Sequence, residues 1–377
     1  MQKERLYYID WLRVLVILSL VPFHAALTYT GLGDTYITTL ITDLKVLPFL
    51  VISLPLGSFF MTLLFFISGM AAYYSFQSRG HKEFLTERVR KVLLPFLFGT
   101  IFLCPLQAYF KGLYDGFSGG FISFLPEFFS VKIVQYLGYA HLWFLLYLFV
   151  FTLLCLPLFK KWSIQKEKLE KLSVHLCKGN NIYYPITFII FAEMILRPFS
   201  SGMQTLIMDW ANDVVYLSML IFGFVFASDN KIQERLERLK RTAGIIFLVL
   251  SILYIIIFYL LLAEGIDLVA LWVATKGIYE CSAILYLLWF GKRYFNKKSK
   301  VLNYINKASF TYYLYHFIPV SFFTYYFAYI NINVYFKYLL VVILSYLSIF
   351  IIYEVFIKRY HGLIKKINYQ RRGDDLI

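Results

Sequence analysis

Apolar runs of about 20 residues, each long enough to cross a bilayer as a helix, recur along this chain from Tyr8 to Ile357. Ten candidate spans can be drawn, at 8–30, 48–76, 92–112, 138–159, 182–200, 205–227, 243–263, 268–290, 303–329 and 335–357. With 60% of its 377 residues hydrophobic and only 16% charged, the chain lacks the polar surface that a soluble domain needs. The expected fold is all-α: one polytopic transmembrane helical bundle of about ten spans over residues 1–360, then a basic tail at 361–377. The first run is not expected to be a cleaved signal peptide. It is too long, contains Asp10 and Arg13, and lacks a cleavage site before the next span.

The net charge of +15 is distributed unevenly. With the N-terminus inside, only Lys45, Lys111, Lys132, Arg197 and Lys337 fall at outer ends, and Arg13, Lys276 and Lys307 fall within spans. All other Lys and Arg lie on the inner side, so the positive-inside rule puts both termini in the cytoplasm. The excess is accounted for by topology and anionic lipid headgroups, which makes membrane lipids the expected partners. No nucleic-acid recognition motif accompanies the charge. The four cysteines, Cys104, Cys155, Cys177 and Cys281, show no paired spacing, so neither a disulfide framework nor a metal site is expected.

Two inner loops, 160–181 and 229–242, have the charge pattern of surface helices. The longest outer loop, 113–137, carries Gly116, Gly119 and Gly120 followed by Phe121, Phe124, Phe128 and Phe129. Such a loop is suited either to lying in the outer headgroup layer or to capping an outward-facing cavity.

Chemistry concentrates in the first span. Arg13 and His24 are eleven residues apart; at about 100° per residue that is three turns plus roughly 20°, so both project from nearly one face, about 16 Å apart. Asp10 stands three residues before Arg13, where a helical ion pair forms. Polar groups in a lipid-fit segment mark a working site by default. His24 is the candidate general base, its alternative being a packing histidine bonded to a neighbouring span. Arg13 is suited to phosphate or a polarised carbonyl oxygen, a role compatible with pairing to Asp10.

Arg88, Arg90 and Lys91 stand at the inner mouth of the third span. They are suited to the phosphates of a cytoplasmic nucleotide-bearing donor, and equally to simple positive-inside anchoring. His141, Glu193, Asp209, Asp213, Lys276, Glu280, His316 and Glu354 also fall within spans and argue for a polar interior. Lys276 and Glu280, four apart, are placed to satisfy each other. His141, Glu280 and His316 form a candidate secondary site.

Several stretches taken in order resemble the acyltransferase-3 family of bacterial integral-membrane acyltransferases. Asp10-Trp11-Leu12-Arg13 followed by His24 is similar to the family's Arg-ten-residues-His signature. Phe65-Phe66-Ile67-Ser68-Gly69 resembles its aromatic–Ser–Gly stretch. Arg88-Val89-Arg90-Lys91 through Pro95-Phe96-Leu97-Phe98-Gly99 resembles its basic motif, with Lys91 where a second Arg is frequent. His141-Leu142-Trp143-Phe144-Leu145 and Ala308-Ser309-Phe310-Thr311 through His316 resemble two later elements. Within the family, the branch that modifies periplasmic glucans is nearest.

The resemblance implies transfer of an acyl group, commonly acetyl, from a coenzyme A thioester to a carbohydrate hydroxyl at a bacterial plasma membrane. In that reading Arg88, Arg90 and Lys91 meet the phosphates of acyl-CoA, Arg13 positions the donor, and His24 activates the acceptor, either directly or as an acyl-histidine. No metal is implied. The competing class is a transporter or flippase of a lipid-linked glycan, against which stands the lack of two related halves. The acceptor polymer and the oligomeric state are not legible.

Overall fold

The computed structural model describes residues 6–32, 37–41, 43–78, 80–130, 139–200 and 205–359. The basic tail at 361–377 and Lys132 lie outside them. Among the described residues every regular element is a helix. Nine are long and apolar enough to cross a bilayer: Tyr7–Leu27, Leu44–Ser78, His81–Tyr114, Ala140–Ile164, Asn181–Phe199, Trp210–Ser228, Lys240–Leu261, Val269–Tyr294 and Val334–Ile357. They follow the expected spans in order, except the ninth. That span is two shorter helices, Lys300–Tyr315 and Phe317–Ala328, meeting at His316. Pro319 has no N–H to give the Tyr315 carbonyl four residues back, so one helix cannot run unbroken through this point. Counting the broken pair as one, the spans are numbered one to ten below.

Proline shapes two further spans. Pro22 leaves the Leu18 carbonyl of span one without its helical donor, and the Tyr346 hydroxyl of span ten donates to that oxygen. In span three, Leu94 N–H bonds the Val89 carbonyl and Cys104 N–H bonds the Gly99 carbonyl, each reaching five residues back. Both wide turns come immediately before a proline, Pro95 and Pro105, where the normal ladder is interrupted.

The tightest seam joins spans two and six at Gly69 and Gly223. A Cβ on Gly69 would lie 2.0 Å from the Leu220 carbonyl oxygen, and one on Gly223 would lie 1.9 Å from the Phe66 oxygen. Only glycine permits this backbone approach, as is usual at helix crossings in membranes. Aromatic rings continue the seam, with Phe65 stacked 4.8 Å from Tyr216. On the outside, span seven exposes Ile245, Leu248, Val249, Ile252 and Ile256 along one helical stripe. Lipid covers such a stripe without penalty, whereas water would not. The charged loops carry the helices Lys166–Cys177 and Asn230–Glu237, as their patterns predict.

Candidate active site

Spans one, four and nine bring three histidines together. The His24 and His316 rings stack with centroids 5.1 Å apart. His141 meets His316 edge-on at 4.8 Å. All three side chains are buried. The break in span nine sets His316 in place: its Nδ1 is 2.7 Å from the Tyr313 carbonyl. A carbonyl only accepts, so Nδ1 carries the hydrogen, and in the neutral ring Nε2 holds the lone pair. His141 has the opposite arrangement, its Nε2 donating to the Leu314 carbonyl at 3.2 Å. His316 Nε2 and His141 Nδ1 have no hydrogen-bond partner among the described residues. Buried lone pairs left unmatched are costly for folding alone, which marks them as candidates for chemistry.

Strain helps to aim His141. The residue before it, Ala140, sits at φ 38°, in the left-handed region that a side chain disfavours. The Tyr313 hydroxyl then donates to the His141 carbonyl at 2.9 Å, tying the start of span four to span nine.

Arg13 meets the same span nine. Its Nη2 donates to Asp10 Oδ1 at 2.9 Å, the expected helical pair, and to Asn306 Oδ1 at 2.6 Å. Arg13 faces Asn306 while His24 faces His316, so the two spans run alongside each other and the predicted common face is turned toward one neighbour. The three cations of span three are not gathered to a point. Arg88 lies over the Phe84 ring at 4.9 Å, Lys91 pairs with Glu87 at 2.5 Å, and Arg90 is exposed.

Glu280 does not join the two histidines with which the sequence grouped it. It belongs to a buried ionic network across spans five, six and eight. Lys276 Nζ donates to Glu280 Oε1 at 2.6 Å and to Glu193 Oε1 at 2.5 Å. Arg197 grips Glu193 with two bonds of 2.7 and 2.8 Å and also donates to Asn212 Oδ1 at 2.7 Å. Asn212 in turn donates to Asp209 at 2.8 Å. Each charge faces an opposite one, the condition on which ions are tolerated at this depth.

Beside the histidines opens a cavity of about 360 Å³. The short helix Phe121–Phe128 contributes Phe124, Glu127 and Phe128 to its wall. Lys111 and Asp115, paired at 2.6 Å, and Glu127 line it together with Phe117, Phe124 and Phe128. Ala140 and Phe317 form another part of the wall. Phe317 is the link to the chemistry, its ring lying 4.9 Å from His24 and 5.5 Å from His141.

Two site residues carry no charge to announce them: Asn306, on Arg13, and Gln107, on the cavity wall. Their sequence signal is an amide within or beside an apolar run, the same expense that singles out His24.

Comparison with known proteins gives a consistent answer. The sequence profile of the family described as acyltransferase domain matches residues 6–354. Glucans biosynthesis protein C from Escherichia coli strains SMS-3-5 and HS is 28% identical to this chain over 251 residues. That similarity covers 59% of this chain and 59% of the length of each relative. No solved structure matches the chain significantly.

Proposed function

This chain belongs to the acyltransferase-3 family of membrane acyltransferases, and we propose that it is an O-acyltransferase moving an acyl group from cytoplasmic acyl-CoA to a carbohydrate hydroxyl across a bacterial plasma membrane. Acetyl is the expected group. The similarity to proteins named for glucans biosynthesis supports a glucan-type acceptor. The observation that carries the reading is the pairing of spans one and nine, Arg13 on Asn306 and His24 on His316. A cation and a base are thereby held on one seam, about 16 Å apart.

In the proposed reaction His24 takes the proton from the acceptor hydroxyl as that oxygen attacks the thioester carbon. The C–O bond forms, the tetrahedral adduct collapses, and the C–S bond breaks. The departing sulfur takes the proton back from the imidazolium, giving an ester and a free thiol. Arg13 positions the donor and opposes the negative charge that develops. Arg88, Arg90 and Lys91 hold the phosphates of coenzyme A as point charges and hydrogen-bond donors. The asymmetric distribution of Lys and Arg supports the sidedness, with these cations inside and the cavity outside.

Sealed vesicles of opposite orientation test this reading. With radiolabelled acetyl-CoA outside, label is expected to reach glycan ester in inverted vesicles, where the cytoplasmic face is exposed. Equal labelling from right-side-out vesicles, or no labelling in either orientation with the protein abundant, contradicts it.

A further inference from the structure

A second cavity, of about 520 Å³, opens where spans one, two, nine and ten meet, on the far side of the histidines from Arg13. Its wall continues the seam that carries the histidines. Thr28 stands four residues after His24, one turn and about 6 Å further along span one. Thr324 stands eight residues after His316, about 12 Å further along span nine. Both threonines are buried. Main-chain ties hold the other walls in place. Thr39 N–H donates to the Thr28 carbonyl at 2.7 Å, and Ile41 N–H donates to the Tyr29 carbonyl at 3.2 Å. The Tyr335 hydroxyl donates to the Lys45 carbonyl at 3.3 Å, joining the starts of spans two and ten. Asp43, Asn333 and Lys337 complete the polar lining.

Cations are scarce on this side of the protein. Topology accounts for those inside and calls for none outside. Yet two of the five outer cations, Lys45 and Lys337, border this one cavity from the starts of spans two and ten. Lys111 is committed elsewhere with Asp115, and Arg197 with Glu193. Against the two ammonium groups the described wall sets one carboxylate, Asp43, 3.1 Å from Lys45 Nζ. The wall therefore carries net positive charge. We infer that this cavity binds an acidic unit of the acceptor glycan, a sugar bearing a carboxylate or a phosphate, and that Lys45 and Lys337 select for its charge. The inference rests on the acyltransferase reading for calling the ligand an acceptor, but not for the binding of an acidic sugar. Ammonium groups meet anions of either kind as point charges. The threonine hydroxyls and the Asn333 amide suit the hydroxyls of the sugar itself, and about 520 Å³ lies in the range of small-molecule sites. A lipid phosphate would engage the lysines alone, whereas the buried threonines lead inward along the seam. One turn separates Thr28 from His24, so the bound unit directs its own or a neighbouring hydroxyl toward the base.

The test uses the full-length protein in an uncharged polyoxyethylene detergent. Glucose 6-phosphate and a galacturonic acid trimer are the acidic probes, and maltotriose is the neutral one. Calorimetric titration compares wild type, the double variant Lys45→Gln/Lys337→Gln, and Lys111→Gln, which removes an outer cation beside the other cavity. Saturable binding of an acidic probe is expected in wild type and in Lys111→Gln, at least about tenfold tighter than that of maltotriose and weakening with added salt. In the double variant that affinity is expected to fall at least about tenfold. Its melting temperature should match that of wild type, because the ion pair it removes, Lys45 with Asp43, is exposed and worth little.

Equal affinity in wild type and the double variant overturns the inference, as does maltotriose binding as tightly as the acidic probes, or no saturable binding of either acidic probe. Phosphatidylglycerol retained by wild type and lost from the double variant, with neither acidic probe bound, assigns the lysines to a lipid headgroup and overturns it too. Lysine-dependent binding of an acidic probe without acyl transfer from any acyl-CoA would keep the site and refute the acyltransferase reading instead. Acyl transfer to a glycan with an acceptor KM unchanged in the double variant would keep that reading and overturn the site.

Discussion

Replacing Gly69 by alanine puts a single methyl group into the closest backbone contact between spans two and six. That methyl would stand 2.0 Å from the Leu220 carbonyl oxygen and 2.9 Å from the Phe224 nitrogen. A carbon beside a carbonyl oxygen needs roughly 3.3 Å or more, so the helices must separate by more than about 1 Å. Both neighbours are backbone atoms, and no rotamer change relieves the clash. Alanine is the better helix former by about 1 kcal/mol, which favours the variant. Overpacking costs about 1–3 kcal/mol, and a gap of 0.5–1 Å forfeits about a quarter to a half of the dispersion well for each contact along the seam. The balance is a net loss of about 1–2 kcal/mol, or roughly 1–3 °C in apparent melting temperature at a fixed scan rate. Activity should fall with it, because Phe65 on this seam packs 4.9 Å from Phe144 in the span that carries His141. Gly80→Ala is the control, since a Cβ there meets nothing within 4 Å. Equal melting of the two variants in detergent would refute the packing assigned to this seam.

Three other outcomes are expected. Lys276→Met leaves Glu193 and Glu280 facing each other without their shared cation, a loss of about 3–5 kcal/mol that should abolish monodisperse protein on size-exclusion chromatography; adding Glu280→Gln should restore part of it. Arg13→Lys keeps the charge but replaces the planar guanidinium, whose Nη2 donates to both Asp10 and Asn306, by a point-charge ammonium. It should lower kcat/KM for acyl-CoA about tenfold or more, with melting nearly unchanged. Arg90→Ala removes an exposed cation and should raise the KM for acyl-CoA about threefold to tenfold, an effect that shrinks with added salt while the acceptor KM stays constant.

Apolar run length made the ten spans legible, and helical spacing made both the Arg13–Asp10 and Lys276–Glu280 pairs legible. The same arithmetic turned Arg13 and His24 to one face, and span nine proves to be what that face meets. Which partners wait there was not legible, because Asn306 and His316 lie more than 280 residues away in sequence and local periodicity carries no long-range register. His316 and Glu280 look alike on a list of intramembrane polar residues. Only packing separates them, sending one to His24 and the other to Lys276. The break at His316 was foreshadowed by Pro319, and the wide turns of span three by Pro95 and Pro105. A proline signals that a helix must yield, without saying whether by a break or by a wide turn. Of the Phe-rich loop, Phe117, Phe124 and Phe128 line the cavity.

The central claim is that His24 works as a base on the span-one face. The most direct test measures free thiol released from acetyl-CoA by purified protein in proteoliposomes with an acceptor glycan, for wild type and His24→Ala. Near-native circular dichroism and melting should first establish that the variant is folded. Release that depends on acceptor in wild type and falls by at least about a hundredfold in His24→Ala is the predicted result, in line with what a positioned base contributes. Equal release from the folded variant would contradict it and return the chemistry to another residue of the histidine cluster.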